Sequence, residues 1–299
     1  MARTRILAAL VTVGLLSVGV AAWQPSQGAI DGATIEQVKG NLYVIKGNTP
    51  VDRSVFSGGN VGVFVMDEGV AVVDTKLPGW GPTLLERIRE VTDKPVVTII
   101  NTHTHGDHVG SNNGFGEAVN IVAHANTKAN MVRMDNFQGA GAAFLPDQTY
   151  DDRLTLGSGA DQMDLYYFGA GHTNGDTFIV YPALGVLQTG DMFPWRDAPF
   201  LDVNNGGSGV ALPETLGRAV DTIDGVDTVV PGHVPVTTWA SFQEFQRFTA
   251  DLLAAVRQAK QGGQSADQAV AGVDLSSDYP DYDSTRVEAA VRVIYEELP

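Results

Sequence analysis

Two distant stretches of this chain follow one plan, and that repetition limits the folds open to it. Val63 to Thr75 reads as strand, tight turn and strand, closing on Asp74. Phe178 to Asp191 reads the same way and also closes on an aspartate. Each is followed by a loop and an amphipathic helix with proline near its start. Pro82 precedes Leu84, Leu85, Ile88 and Val91, and Pro213 precedes Leu216, Ala219, Val220 and Ile223. That apolar spacing is helical, and proline in a first turn forfeits no hydrogen bond. A β-branched strand then follows each helix and runs into a histidine, His103 in one case and His233 in the other. The pattern predicts two similar βα halves facing each other, with the His103 and His233 loops meeting at one edge. Apolar faces at Leu252, Val256 and Ala259, and at Val287, Val291 and Ile294, predict two late helices. The Gly- and Ala-rich stretch from Phe137 to Tyr150 reads as a long surface loop or an insertion.

Histidine is rare here, and its placement carries the chemistry. Only six occur in 299 residues, and half of them fall in His103-Thr104-His105-Gly106-Asp107-His108. Imidazole and carboxylate are the donors that a borderline divalent ion such as zinc prefers. The run follows Pro95 to Ile100, an apolar β-branched strand, so the donors project from a loop at a strand's end. His172, Asp191 and His233 each stand directly after a glycine at a predicted strand end. Taken singly, such residues are more often turn or hydrogen-bonding positions than ligands. Together with the first cluster they point to a metal site.

Composition narrows the partners. Met1 to Arg5 is short and basic, Ile6 to Val20 is largely apolar, and small residues follow at Val20-Ala21-Ala22. This is the layout of a secretory signal over residues 1–22, with the cleavage point placed as late as about residue 29. The apolar run is short for a membrane span of ~20 residues, although an uncleaved anchor stays open. We therefore expect export to a periplasm or the exterior, and one domain over residues 30–299. No stable membrane partner is expected after cleavage. Cysteine is absent, which removes thiolate from the ligands and nucleophiles. The net charge of −16 becomes −18 without Arg3 and Arg5. So acidic a surface disfavours nucleic acid and anionic lipid, and a small-molecule substrate is expected.

The motif His103-x-His105-x-Asp107-His108, followed by His172, Asp191 and His233, resembles the metallo-β-lactamase superfamily of hydrolases. The resemblance implies an α/β fold, a four-layer αββα sandwich of two similar halves, with two zinc ions at one sheet edge. It implies that His103, His105 and His172 hold one ion. Asp107, His108 and His233 would hold the other, with Asp191 bridging. Iron or manganese could replace zinc. A hydroxide bridging the ions would attack a carbonyl carbon, and Asp107 would orient it or carry its proton. The bond cleaved would be an amide, lactam, ester, lactone or thioester. Aspartate at 191, where many β-lactamases of the family carry cysteine, looks more like the general hydrolase branches. β-Lactam hydrolysis is one candidate among these, and a mononuclear iron oxidoreductase acting on sulfur compounds is the rival class.

Other residues leave alternatives open. Asp74 reads either as a hydrogen-bond acceptor behind a ligand histidine or as a turn or helix cap. His124 reads as a surface or capping residue, and Thr102 and Thr173 as ties for the loop backbone. The aromatic stretch from Met192 to Leu201 either walls a pocket or packs on the core, and Arg196 is expected to meet a substrate carboxylate. Ser57 to Asn60 and Asn204 to Ser208 read as flexible polar segments flanking a cleft.

Overall fold

The computed structural model describes residues 24–299. The stretch 1–22, expected as a signal segment, lies outside the described residues.

The first half starts with α1 (Gln27–Gly32), capped by the Ser26 side chain, and then builds a seven-stranded sheet in chain order. Its elements are β1 (Ile35–Lys39), β2 (Leu42–Ile45), β3 (Val61–Val65), β4 (Val70–Val73), α2 (Gly81–Arg89), β5 (Val96–Asn101), α3 (Gly106–Val109), β6 (Asn120–His124), α4 (Ala125–Met131) and β7 (Gln148–Tyr150). The second half follows with β8 (Arg153–Leu156), β9 (Met163–Tyr166), β10 (Phe178–Tyr181), β11 (Val186–Gly190), α5 (Leu212–Thr222), β12 (Thr228–Pro231) and β13 (Thr237–Thr238), in a six-stranded sheet ordered β13-β12-β11-β10-β9-β8. Helices α6 (Trp239–Gln261), α7 (Ala266–Gly272) and α8 (Val287–Glu297) close the chain.

The predicted repeat is present in the hydrogen bonding. β3 pairs antiparallel with β4 and β4 pairs parallel with β5. β10 pairs antiparallel with β11 and β11 pairs parallel with β12. In each half a helix, α2 or α5, makes the crossover that a parallel pair requires.

Alternation along the strands separates the layers. Ile179 and Tyr181 of β10 meet Phe64, Val73 and Val44 in the core between the sheets, whereas Phe178 and Val180 turn outward onto α5, α6 and α8. On the first sheet, Val61, Val63, Val70 and Val72 turn outward and pack under Leu84 and Ile88 of α2 and Ala29 of α1. Strands covered on both faces need apolar side chains throughout, which is why β4 reads as the unbroken run Val-Ala-Val-Val. Each such side chain contributes about 1.5–3 kcal/mol when fully buried. The result is the expected helix–sheet–sheet–helix order.

One expectation needs correction. Phe137 to Tyr150 is no free loop: Gly139–Phe144 coils into a 3-10 turn, Phe137 is buried beside Met131, and Gln148–Tyr150 forms the edge strand β7. Small residues permit the tight turn without displaying an apolar period, so the segment carries little sequence signal. Among the described residues no helix is long and apolar enough to cross a membrane.

Candidate metal centre

The site forms where β5, β9, β11 and β12 end. Asn101 closes β5, and the backbone then turns through His103 into α3, so His103, His105, Asp107 and His108 come from one short excursion. His172 follows β9, Asp191 is the first residue after β11, and His233 comes two residues after β12. All seven residues converge, in two groups: His103, His105, His172 and Asp191, and Asp107, His108 and His233.

Each imidazole has its outer nitrogen tied to an oxygen. His105 Nε2 donates to Asp202 Oδ2 at 2.7 Å, and His108 Nδ1 donates to Asp74 Oδ2 at 2.7 Å. His172 Nδ1 donates to the Phe200 carbonyl at 2.6 Å and His233 Nδ1 to the Asn48 carbonyl at 2.9 Å. His103 Nδ1 reaches Thr102 Oγ1 at 3.0 Å, and that hydroxyl in turn donates a hydrogen bond to Asp74 Oδ2 at 2.7 Å. With the outer N–H groups so engaged, the inner nitrogens present lone pairs.

Those lone pairs crowd together. His105 Nδ1 lies 3.1 Å from His103 Nε2 and 2.8 Å from His172 Nε2. In the second group His108 Nε2 and His233 Nε2 are 3.3 Å apart, with Asp107 Oδ2 at 3.5 Å from His233. Asp191 stands between the groups, Oδ2 3.6 Å from His172 Nε2 and 3.2 Å from His233 Nε2, Oδ1 3.3 Å from His108 Nε2. Four donors at ~2.0–2.1 Å around a tetrahedral ion stand about 3.3 Å from one another. Converging lone pairs repel unless a cation lies among them, and the buried Asp191 Oδ1 has no hydrogen-bond donor. The residues therefore fit a divalent metal in each group.

Electrostatics agree. Burial drives His103 well below the usual histidine range and brings His172 down to about 4, so both stay neutral and able to coordinate. Burial opposes a charge on Asp191, but His233 and His108 outweigh it and hold the carboxylate ionised. For His108, burial is likewise outweighed, here by Asp191, Asp107 and Asp74, and its pKa rises well above the ordinary value.

Two glycines keep the space clear. A Cβ at Gly59 would fall on the His108 ring, and one at Gly232 on Asp191 Oδ1. The stretch Ser57 to Asn60 is accordingly no flexible flank. Asn60 donates to the Pro231 and Val234 carbonyls and ties the first half to the His233 loop, while Ser57 bonds Asn48. Asn204 and Asn205 are likewise fixed, capped by Asp202.

A cleft of about 550 Å³ opens over the centre. The aromatic stretch from Met192 to Leu201 divides between both expected roles. Met192 and Phe193 pack in the core, whereas Trp195 lies against His233 and Phe200 against His105 and His172 as cleft wall. Arg196 does not serve as expected. Its guanidinium turns away to Ser241, and Arg286 and Arg53 line the cleft in its place. His124 caps α4, as one reading had it, but is buried and stacked on Tyr167, not a surface residue. Thr173 ties its loop to the buried Asp176, whose carboxyl burial pushes up to about 7.

Asp202, Asn60 and Arg286 escaped the sequence. Asp202 stands before Asn204-Asn205-Gly206, which signals only a capped turn, and nothing marks Arg286 among the surface arginines.

Residues 55–233, more than half of the chain, match the family described as the metallo-beta-lactamase superfamily, and the chain belongs to that family. Its relatives are metal-dependent hydrolases, and that is the class of this protein. The metallo-beta-lactamase type 2 of Elizabethkingia meningoseptica is 26% identical over 235 residues, covering 75% of this chain and 86% of that one. Among solved structures, a metallo-beta-lactamase from Pontibacter korlensis aligns with a TM-score of 0.62 at 18% identity, over 72% of this chain and 98% of its own. A stereoselective inverting sec-alkylsulfatase from Pseudomonas sp. aligns with a TM-score of 0.72 at 16% identity, over 89% of this chain and 50% of its own. These two structural likenesses carry the fold alone.

Proposed function

We propose that this chain is an exported, zinc-dependent hydrolase with a dinuclear centre, acting on a carbonyl bond of a small molecule: an amide or lactam, an ester, a lactone or a thioester. The observation that carries this reading is the inward convergence of five imidazole lone pairs on one buried carboxylate, Asp191, shared between two donor groups. His103, His105 and His172 would hold one ion and Asp107, His108 and His233 the other, with Asp191 common to both. All seven donors are nitrogen or oxygen, which suits zinc and also admits iron or manganese. Bound there, zinc acts as a Lewis acid that polarises a carbonyl and makes a nucleophile of water near neutral pH.

The protein's own residues do the rest. Asp74 and Asp202 hold His108 and His105 in the tautomer that coordinates. Asp107 keeps a partly exposed carboxylate at the cleft floor, where it can orient a water and accept its proton. Trp195 and Phe200 supply apolar wall for a substrate body. Residues 30–299 would act as one domain once the signal segment is gone.

The test is metal content together with turnover. Mature protein loaded with zinc should retain two ions per chain and hydrolyse at least one member of a panel of chromogenic cephalosporin, lactone, thioester and phosphodiester. A chelator should abolish that turnover and zinc should restore it. The name of the Elizabethkingia relative puts the cephalosporin first. Protein isolated with a single iron and no zinc, inert on the panel, would sink the reading in favour of iron chemistry on sulfur compounds.

A further inference from the structure

Among the charged residues lining the cleft two are cations, Arg53 and Arg286, in a protein with 35 acidic and only 19 basic residues. Arg286 lies beyond the part of the chain that matches the family, directly before α8. Its position is built. The guanidinium lies over the Trp195 ring, 3.8 Å from the centroid, and Trp195 in turn packs on His233. Trp195 is fixed by its own bond from Nε1 to the Ala198 carbonyl.

Behind Arg286 sits Asp197, a buried carboxylate that is already engaged. It accepts from the Ala198 backbone N–H, from Thr285 Oγ1 at 2.8 Å and from the Arg286 backbone N–H at 3.2 Å. The Arg286 guanidinium reaches it only at 3.6 Å, and no guanidinium N–H of Arg286 hydrogen-bonds to the protein among the described residues. Asp197 thus balances the charge and fixes the backbone, while the guanidinium lines the cleft with its donors not hydrogen-bonded to the protein among the described residues. The planar fork of a guanidinium matches the two oxygens of a carboxylate, and stacking on an aromatic face presets its plane. Arg53, an exposed residue with no ion-pair partner among the described residues, adds positive potential at the same mouth. Phe56, Leu77 and Phe200 make the surrounding wall apolar.

We infer that Arg286 is a specificity-determining anchor for the oxyanion group, foremost a carboxylate, of a substrate whose body is apolar. This rests on the cleft being the substrate cleft of the proposed hydrolase. Arg286 touches the end of the substrate away from the scissile bond and sets which molecules bind.

The test titrates zinc-loaded wild-type protein, R286Q and R286K with phenylacetate and with phenylacetamide, its neutral match, following tryptophan emission and calorimetric heat. R286Q should weaken phenylacetate about 10- to 100-fold, the range for a charge-assisted hydrogen-bonded pair, and should leave the phenylacetamide affinity where it was. R286K, which keeps the charge and loses the fork, should fall between; it is read against the same two ligands if R286Q does not fold. R53Q should show the same selectivity with a smaller loss. Equal phenylacetate affinity in wild type and R286Q overturns the inference, and so does an equal loss for both ligands. Binding needs no turnover, so the two readings separate. Carboxylate selectivity without hydrolysis of any panel substrate defeats the proposed carbonyl-bond hydrolysis and leaves the anchor. Hydrolysis without Arg286-dependent selectivity does the reverse.

Discussion

In the first half of the molecule β4 ends at Val73 and Asp74 follows; in the second, β11 ends at Gly190 and Asp191 follows. His103 stands two residues past β5, and His233 two residues past β12. The scaffold therefore offers the same two places twice, yet the halves use them differently. Asp74 accepts three hydrogen bonds, from Thr102 N, Thr102 Oγ1 and His108 Nδ1, and meets only the outer side of a ligand. Asp191 has an oxygen without a hydrogen-bond donor and faces the inner nitrogens of His108, His172 and His233. What separates a holder from a ligand is the imidazole edge that each carboxylate faces, and strand position alone does not decide it.

Asp191→Asn should break the comparison most severely, because one carboxylate serves both donor groups. We expect turnover to fall by more than the ~10–100-fold that loss of an outer partner brings, with zinc content dropping at both sites. A variant that retains two ions and near-normal rates would make Asp191 another Asp74. The measurement is zinc per chain after dialysis, read beside initial rates.

Asp74→Asn should act mainly on one side, through His108, because it reaches His103 only indirectly, by way of the Thr102 hydroxyl. Affinity at the Asp107/His108/His233 group should fall about 10–100-fold while the other group keeps its ion, seen as a widened gap between two steps of a chelator titration. Asp74 also sits in the left-handed region at φ 66°, and its buried partners on Thr102 would lose an acceptor. Stability should therefore drop by about 1–3 kcal/mol as well, measured by urea unfolding. Asp202→Asn should give the mirror result at the His103/His105/His172 group, toward the lower end of that range. Its carboxylate is half-buried and also braced by Asn205, and the hydrogen bond from His105 already holds its pKa far down. Both variants weakening the same step would show that the two groups act as one.

The repeat, the late helices and the seven residues that converge at the centre were legible because they depend on local periodicity and on rare residue types beside glycine. The alternative that placed Asp74 behind a ligand histidine was legible for the same reason, since the echo with Asp191 marked it. Legibility failed where a role depends on which segments meet. Asp202 holds His105 across 97 positions of sequence, and Asn60 grips the His233 loop across 171 and 174. Arg196 carried the expected charge in the expected loop, but Ser241 at the head of α6 takes its guanidinium. Arg286 reaches the cleft from a segment whose own sequence shows only the start of a helix.

Lys76 is the subtlest difference between the halves. No cation stands two residues beyond Asp191, where Phe193 packs into the core instead. Lys76 is fully buried at φ 60°, and its Nζ donates to the Lys46 carbonyl, Ser57 Oγ and the Gly59 carbonyl. Through Gly59 it braces the segment lying on His108. Burial pulls its pKa from 10.5 to about 7, with the Asp107 charge opposing. The unfolded chain keeps this proton up to its ordinary pKa of 10.5, whereas the folded protein releases it near 7. Across that window the unfolded state binds more protons, so stability rises with pH, and the penalty for burying the ammonium is full below about pH 7. Urea unfolding of wild type and Lys76→Met should therefore show stabilities that diverge with pH, the wild type gaining on the variant by up to about 5 kcal/mol as pH climbs through the window. A constant difference between the two would mean that the three oxygens hold the ammonium charged. Lys76 would then be a permanent cation that only the Asp74 half of the molecule has acquired.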